Sequence, residues 1–290
     1  MPGKLYVVAT PIGNLEDMSP RAARILAEAD LVAAEDTRVS GLLLDRFGVR
    51  AKLISCHKFN ERARLEPLLH ALLEGRSVAL ISDAGTPCIS DPGSLLVAAA
   101  AEAGVEVVGV SGPCAAVTAL SVSGFPCRHF TFIGFLPRVK KQLHQALAAH
   151  AESGVPVLVA YESPNRILAA MAEIAQALPD SRVCLCNDLT KRYERVYRGG
   201  PAEVLQQLEQ NPGAAKGEYT VVLYCEAPPA AQEQAQAGLS PEAALTELVA
   251  TRGLSLKEAV AVLAETSGMP KKEAYAASLR LKRLFADGEP

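Results

Sequence analysis

The sequence has no apolar stretch long enough to cross a membrane. A membrane-spanning helix needs about 20 consecutive apolar residues, and no such run occurs among the 290 residues. The N-terminus passes from Met1 into the strand-like segment K-L-Y-V-V-A, without the regions of an export signal. We therefore expect a cytoplasmic protein with no membrane partner.

Metal-binding patterns are also missing. The seven cysteines form no C-x-x-C pair, and the five histidines complete no zinc spacing. The odd number of cysteines favours reduced, mostly buried thiols. We expect no metal.

Basic residues are absent from Ser77 to Cys127, a segment that contains Asp83, Asp91, Glu102 and Glu106. The formal net charge of the whole chain is −3, which gives it no general affinity for polyanions. Nucleic-acid binding would have to come from local basic patches.

Near-continuous apolar strands alternate with helical patterns over the first 111 residues. The strands predicted from the pattern are 5–9, 31–34, 53–55, 78–81 and 105–110, and the helices lie near 20–29, 39–47, 61–74 and 93–103. This alternation predicts a parallel α/β sheet with helices on both faces. Ser19-Pro20, Asp91-Pro92 and Gly112-Pro113 each predict an N-cap and a first helical turn.

A second α/β unit is predicted after the segment S-G-F-P at 123–126. Its strands are 131–135, 155–161, 182–187 and 218–225, and its helices are 138–150, 164–177 and 201–209. A Pro-bearing polar segment then predicts a linker, and helices at 255–265 and 271–285 form a helix-turn-helix pattern. The predicted domains are 1–123, 124–228 and a helical unit at 241–290, with a linker at 229–240.

Four loops follow predicted strands, at the edge where open α/β sheets bind ligands. They are T-P-I-G-N (10–14), A-E-D-T-R (34–38), I-S-D-A-G-T-P-C-I-S-D-P-G (81–93) and S-G-P-C-A-A (111–116). None is a dinucleotide or P-loop motif. Asp83 and Asp91 would repel a polyphosphate, but they suit a cationic ligand with hydroxyls, such as S-adenosylmethionine. The structural alternative is that Asp91 only caps a helix and Gly85 only supplies a turn.

These motifs, together with G-F-L-P and Y-E-S-P-N-R, closely resemble those of the ribosomal RNA small-subunit methyltransferase I family, within the tetrapyrrole-methylase superfamily. The resemblance covers essentially the whole chain. It implies two α/β domains that bind S-adenosylmethionine in the cleft between them, in a homodimer. It also implies 2′-O-methylation of a cytidine in the decoding region of small-subunit (16S) ribosomal RNA, within the assembled small ribosomal subunit.

The resemblance also implies which residues bind the cofactor. They are Pro11, Asp83, Ala84, Gly85, Ile89, Asp91, Gly112, Pro113, Ala115, Ala116, Tyr161, Glu162, Leu189, Glu218 and Thr220. The chain departs from the family pattern at Asn187 and Asp188, where arginine and glutamate are expected, and at Asn165, where histidine is expected. Roles that depend on those expected side chains do not carry over.

A ribose hydroxyl is a poor nucleophile and benefits from a group that accepts or polarises its proton. The candidates are Glu35, Asp36 and Asp83, with Lys191 able to position the adjacent phosphate. Asp83 could equally hold the cofactor, and E-D-T-R could be a structural cluster of ion pairs.

Three basic groups in an otherwise acidic chain favour contacts with the RNA backbone. The groups lie at 138–141, 191–198 and 271–283, and the RNA-binding residues predicted from them are Arg138, Arg192, Lys271, Lys272 and Lys282. The loop at 56–61 adds His57 and Asn60. Arg38 and Arg166 are predicted to position the phosphate beside the ribose. The structural alternative for Asn60 is a helix N-cap beside a solvated His57. Because few exposed aromatics are evident, we expect phosphate and shape contacts to dominate over base stacking.

Two other functions remain open at this point. One is a small-molecule methylase that acts on a tetrapyrrole or a diphthamide precursor, which would share the fold. The other is a non-catalytic ribosome-assembly factor. The basic C-terminal unit disfavours the first, and the intact loops disfavour the second.

Overall fold

The computed structural model describes residues 2–226, 240–252, 254–267 and 269–286, without the side chains at 247, 251, 252, 266, 267 and 282–286. The chain divides into two compact units, Met1–Glu226 and Ala227–Pro290. Except for residue 240, the predicted linker at 229–240 lies outside the described residues, as does the side chain of Lys282. The predicted domain boundary at residue 123 falls within the first unit and remains a prediction.

The first sheet contains five parallel strands in the order β3-β2-β4-β1-β5. The strands are β1 Lys4–Val8, β2 Leu31–Ala34, β3 Leu53–Ser55, β4 Val78–Ile81 and β5 Glu106–Val110. The helices are α1 Pro20–Glu28, α2 Thr37–Arg46, α3 Glu61–Leu73, α4 Ser94–Glu102 and α5 Ala115–Ser123. The predicted parallel sheet is confirmed, and Pro67 is accommodated within α3.

Alternate side chains of these strands enter two separate apolar cores. Val78 and Leu80 pack with Leu72 and Leu96 of α3 and α4, whereas Ala79 of the same strand packs among the side chains of α1 and α2. Because both faces are covered, β2 and β4 are apolar and buried throughout, which is why their positions were evident from the sequence.

Two predicted helix starts are wrong. Helix α4 has Gly93 rather than Asp91 at its N-cap, and α5 has Cys114 rather than Gly112. The reason in α4 is that Glu61 Oε1 accepts the N–H groups of Gly93 (2.7 Å) and Leu95 (3.3 Å). A carboxylate from α3 therefore satisfies the free amides that Asp91 was expected to satisfy.

The second sheet is mixed and has the order β6-β7-β10-β8-β9. Its strands are β6 Phe130–Phe135, β7 Val157–Glu162, β8 Arg182–Asn187, β9 Arg195–Gly199 and β10 Tyr219–Tyr224. The helices are α6 Lys140–Glu152, α7 Ile167–Ala177 and α8 Pro201–Glu209. Only β6 and β7 are parallel, and the sequence did not predict β9, whose exposed arginines obscure its apolar face.

Helix α5 joins the two sheets into one unit. Its Ala116 and Ala119 pack against Val157 and Val222 of the second sheet, and Leu189 and Ile12 enter the same apolar cluster. Small side chains on α5 allow the helix to approach the sheet closely. As a result, the carboxyl-end loops of the first sheet face the edge of the second.

The C-terminal unit, described by itself, contains three helices among its described residues: α9 Pro241–Arg252, α10 Leu256–Ser267 and α11 Lys271–Ala286. Leu245, Ala259, Val260, Leu263, Ala274, Ala277 and Leu281 form its core. The sequence predicted α10 and α11 but not α9. No helix in the described ranges has the length and apolarity to span a membrane.

Candidate active site

A cavity of about 450 Å³ opens where the loops of the first sheet meet strands β7 and β10. From the first sheet it receives Ile12, Glu35, the loop at 83–91, Cys114 and Ala115, and from the second half of the unit Phe135, residues 161–164 and Glu218–Thr220. This is the edge at which open α/β sheets bind their ligands.

Direct hydrogen bonds hold the loops after β1, β4 and β5 together. Thr10 and Gly85 exchange both backbone hydrogen bonds, at 2.9 and 3.0 Å. The Thr86 hydroxyl donates to the carbonyl of Pro113 at 3.0 Å. Gly85 has a φ of +82°, which an L side chain adopts only with strain. The wall of the cavity is therefore preorganised.

The loop between β4 and α4 adopts an unusual backbone. Cys88 and Ser90 both have a φ of +68°, although neither is glycine. Such conformations cost about 1–3 kcal/mol each and are typical of functional loops. Between them, Ile89 remains 41% exposed and lines the cavity. The strained pair therefore presents an apolar side chain to the cavity.

Three carboxylates that form no ion pair with the described basic residues lie at one side of the cavity. Burial, then the charge of Glu35, raises the pKa of Asp91 to about 6. Burial, then the charge of Asp83, raises the pKa of Glu35 as well. Asp83 Oδ1 accepts the backbone N–H of Asp36 at 3.0 Å. This mutual repulsion is relieved when a cation binds among the three groups.

Two further carboxylates in the lining are already paired. Arg166 Nη2 lies 2.9 Å from the buried Glu162, and Lys191 Nζ lies 2.7 Å from Glu218. Neither cation is itself in the lining. The cavity of the described chain thus keeps the negative charges of Glu35, Asp83 and Asp91 uncompensated.

The loop D-L-T-K places Lys191 beside the loop after β1. Asp188 and Thr190 have positive φ angles of 53° and 66°, and the Thr190 hydroxyl accepts the backbone N–H of Asn14 at 3.2 Å. Asp188 accepts Lys191 Nζ at 3.0 Å. A Cβ atom on Gly217 would collide with the Asp188 carboxylate. Glycine at 217 therefore permits the position of Asp188.

At two of the three positions that depart from the family pattern, the side chain forms hydrogen bonds within the fold. Asn187 is buried, and its amide donates to the carbonyls of Lys216 (3.4 Å) and Glu218 (3.3 Å). Asp188 ties down Lys191 as described above. Asn165, the third departure, is exposed.

Most of the residues predicted to bind the cofactor lie together in this cavity. Those in the lining are Asp83, Ala84, Gly85, Ile89, Asp91, Ala115, Tyr161, Glu162, Glu218 and Thr220. Pro11, Gly112, Pro113, Ala116 and Leu189 do not line it. Ala116 and Leu189 are instead buried in the apolar cluster around α5.

Six lining residues were not predicted from the sequence. They are Ile12, Thr86, Ser90, Phe135, Ser163 and Pro164. Cys114 and Tyr219 lie in the segments 112–116 and 217–220, where the resemblance places the cofactor. Each of the six lies inside a motif or a predicted strand, so the sequence indicated the segment that contains the residue but not the residue itself. The side of each segment that faces the cavity was not readable from the sequence.

The four catalytic candidates occupy different surroundings. Glu35 and Asp83 line the cavity. Asp36 caps α2 by accepting the N–H of Arg38 (2.9 Å), and its carboxylate also pairs with the Arg38 guanidinium (2.6 Å). This ion pair, led by the hydrogen bonds from Arg38, lowers the pKa of Asp36. Lys191 is held by Asp188 and Glu218, so its charge faces other protein groups.

The predicted RNA-binding residues are only partly available. Arg166 is engaged with Glu162 and with the carbonyls of Leu136 and Pro137 (3.0 and 3.1 Å). Asn60 is the N-cap residue of α3, but its side chain closes the loop by accepting the N–H of His57 at 2.7 Å. Residues that are exposed and form no ion pair within the described ranges are Arg138, Arg192, Lys271 and Lys272.

The expectation of few exposed aromatics is wrong. Phe59 is 93% exposed and Tyr193 71% exposed, and Phe135 and Tyr275 are also exposed. Phe59 lies edge-on to His57, and the Arg192 guanidinium lies 5.5 Å from the Tyr193 ring centre. Aromatic side chains in strand-end loops cannot be assigned as exposed or buried from sequence, because periodicity is lost there.

S-adenosylmethionine fits this cavity chemically. Its sulfonium and ammonium groups match the uncompensated carboxylates Glu35, Asp83 and Asp91, and its adenine matches apolar walls such as Ile89 and Phe135. No cluster of metal-binding side chains occurs within the part of the chain that the structure describes.

Comparison with known proteins agrees with the fold and the motifs. Residues 4–205 match the family of Tetrapyrrole (Corrin/Porphyrin) Methylases. Two solved structures share the fold: a uroporphyrin-III-C-methyltransferase from Thermus thermophilus (TM-score 0.51, 22% identity, 77% of this chain and 93% of that chain) and the methyltransferase CobJ (TM-score 0.57, 19% identity, 77% and 95%).

Curated relatives are more similar. The ribosomal RNA small subunit methyltransferase I of Escherichia coli O157:H7 is 45% identical over 76% of this chain and 77% of its own length. Those of Halalkalibacterium halodurans (45%; 76% and 75%) and Neisseria meningitidis serogroup B (39%; 83% and 81%) are also similar. The chain therefore belongs to the ribosomal RNA small subunit methyltransferase I family, within the tetrapyrrole methylases.

Proposed function

We propose that the protein methylates the ribose 2′-hydroxyl of a cytidine in small-subunit ribosomal RNA, with S-adenosylmethionine as the methyl donor. The observation that carries the proposal is the acidic, phosphate-repelling cavity at the loop edge, in a chain 45% identical to a ribosomal RNA methyltransferase. The tetrapyrrole alternative has less support, because the solved structure named for such a substrate is only 22% identical.

The chain's contribution to methyl transfer is mainly alignment. When bound, S-adenosylmethionine supplies an electrophilic methyl group on a good leaving group. The tied loops at Thr10, Gly85 and Pro113 hold the cavity wall in one conformation. Fixed alignment of two reactants is worth several orders of magnitude in rate, without any strong acid or base.

Asp83 is the residue we assign to the hydroxyl proton. Asp36 is committed to Arg38 and to the N-terminus of α2, which leaves Asp83 and Glu35 among the acidic candidates. Glu35 is half-buried, and burial followed by the charge of Asp83 raises its pKa. Asp83 is exposed and held by the Asp36 amide, which suits a group that contacts substrate.

The RNA-binding residues that we propose, taken separately in each unit, are free cations and exposed rings. Arg138 and Arg192 follow strands of the second sheet, and Tyr193 adds a ring against Arg192. Lys271 and Lys272 begin helix α11 of the C-terminal unit. Guanidinium and ammonium groups bind phosphates, whereas exposed rings stack on unpaired bases.

The finer features of the proposal follow the family resemblance. They are the decoding-region cytidine, the assembled small ribosomal subunit as the substrate, a homodimer and a cytoplasmic location. Sedimentation of the purified protein tests the dimer independently of its activity.

One experiment separates the enzyme from its alternatives. The protein is incubated with methyl-labelled S-adenosylmethionine and small ribosomal subunits from cells that lack the enzyme, and the label is located in the digested RNA. We expect label in 2′-O-methylcytidine. Label in a base-methylated nucleoside would contradict the ribose assignment, and tight subunit binding without label would favour an assembly factor.

A further inference from the structure

A second cavity, of about 360 Å³, lies beside the first on the same unit. Its lining consists of Pro11, Gly13, Leu15, Val39, Leu42, Leu43, Arg46 and Asp83. Asp83 is the one residue found in both linings. The two cavities therefore adjoin at a carboxylate.

The T-P-I-G-N loop separates the two cavities. Ile12 lines the first cavity, whereas its neighbours Pro11 and Gly13 line the second. Helix α2 shows the same division, since Glu35 before it faces the first cavity and Val39 within it faces the second. Only the Asp83 side chain therefore separates the first cavity from a ligand group bound next to Asp83 in the second cavity.

The second cavity exposes apolar side chains to solvent. Leu42 is 72% exposed, Val39 45% and Leu15 44%. Several exposed apolar residues around one concavity are typical of a binding site for a flat apolar group, such as a nucleobase.

Its charges suit a nucleotide. Arg46 is exposed and forms no ion pair within the described ranges, so its guanidinium is free for a phosphate or a base carbonyl. Asp83 Oδ1 is held by the amide of Asp36, which fixes the carboxylate at the entrance to the cofactor cavity. Arg46 can bind a phosphate, and the Asp83 carboxylate can accept a hydrogen bond from a neighbouring ribose hydroxyl.

We propose that the second cavity receives the nucleoside that is methylated, turned out of its RNA strand. The inference rests on the proposed function and names the substrate subsite of that reaction. The base packs against Val39, Leu42 and Leu15, Arg46 contacts a phosphate, and the ribose hydroxyl lies at Asp83. Enzymes that modify nucleotides commonly turn them out into such pockets.

The reaction at this position is balanced. The ribose oxygen forms a bond to the methyl carbon as the carbon–sulfur bond breaks and its electron pair passes to sulfur. The hydroxyl proton passes to the Asp83 carboxylate and then to water. No further reactant is needed.

Two variants of the full chain test the subsite. Val39→Trp fills the cavity, and Leu42→Asp replaces its most exposed apolar wall with a charge that repels phosphate. Leu168→Asp, at a 39% exposed leucine of α7, is the matched control. Cofactor affinity is measured by calorimetry, methyl transfer to small subunits by label, and mass by sedimentation.

We expect both variants to lower kcat/KM for methylation of the small subunits about a hundredfold, because the substrate is misplaced. Their affinity for S-adenosylmethionine should stay within about twofold of the parent protein's. Their sedimentation mass should equal that of the parent protein. The control should match the parent. Parent-level transfer by either variant would overturn the subsite but leave the proposed function intact. A halved mass in the variants would assign this face to a second copy of the chain and overturn the proposal. A parent chain that labels no ribose would overturn the proposed function itself.

Discussion

The carboxylate of Asp83 accepts the backbone N–H of Asp36 across 3.0 Å, and this hydrogen bond joins the loops that follow β4 and β2. The bond fixes Asp83 where the two cavities meet. Because Asp36 in turn caps α2, the position of Asp83 depends on the fold rather than on a mobile side chain.

The charge of Asp83 should be needed for transfer more than for folding. Asp83→Asn retains an oxygen that can accept the Asp36 amide, but removes the proton acceptor. We expect the single-turnover methylation rate to fall about 10²–10⁴-fold, the usual contribution of a positioned base. Asp180→Asn makes the same change at an exposed turn and should leave the rate unaltered. A rate for Asp83→Asn near the parent's would remove Asp83 from the chemistry.

Cofactor binding should weaken in acid. The pKa of Asp91 is raised to about 6, so its carboxyl carries a proton below that pH. A cation binds the ionised form, and binding therefore releases a proton at lower pH. We expect the affinity for S-adenosylmethionine to fall up to about tenfold from pH 7 to pH 5. Protonation of Glu35, whose pKa is also raised, should weaken cofactor binding in the same direction.

Calorimetry over this range checks the pH prediction in two buffers with different ionisation enthalpies. In Asp91→Asn we expect weaker binding at pH 8 and a flatter pH profile. An unaltered profile in this variant would show that another group titrates.

Gly217 should be required for more than its backbone angle. Gly217 and Gly154 have similar φ values, +85° and +74°, but a Cβ atom meets Asp188 at 217 and nothing within 4 Å at 154. Gly154→Ala should cost about 1 kcal/mol in unfolding free energy through the backbone alone. Gly217→Ala should cost about 1–3 kcal/mol more, because Asp188 must move. Equal losses in urea unfolding would contradict the close approach.

Lys271 and Lys272 should contribute to binding of the small subunit. Reversing both charges should reduce affinity and lower the slope of log K against log salt by roughly 1 for each phosphate that the two side chains no longer bind. Cofactor affinity should not change. Lys257→Glu, on another exposed position of the same helical unit, is the control. An unchanged slope in the double variant would exclude this pair of lysines from RNA binding.

The first sheet was predictable because its strands are mostly apolar, and β2 and β4 are buried on both faces. The runs at 31–34, 53–55 and 78–81 contain no exposed position that breaks the pattern, and their bounds agree with the structure. Strand β9 was missed because it has five residues, of which Arg195 and Arg198 are exposed and only Val196 and Tyr197 pack against the apolar clusters. Its charges favoured an RNA-binding interpretation over a strand.

The site was predictable in its motifs but not in its geometry. Glu35, Asp83 and Ala115 share one cavity as expected, since the parallel strands β2, β4 and β5 bring the segments that follow them to one edge. Glu61 gave no sign in the sequence that it caps α4, because the contact spans 32 residues. The hydrogen bonds from Arg166 to the carbonyls of Leu136 and Pro137 and the burial of Leu189 likewise depend on tertiary packing.

The most direct measurement is the position of the methyl group within the RNA. Small subunits labelled by the protein are digested with alkali, which cleaves after every ribose that has a free 2′-hydroxyl. The account predicts about one label per subunit, in a single alkali-resistant dinucleotide whose 5′ residue is cytidine. Label released as mononucleotides, or no label in the RNA, would contradict it.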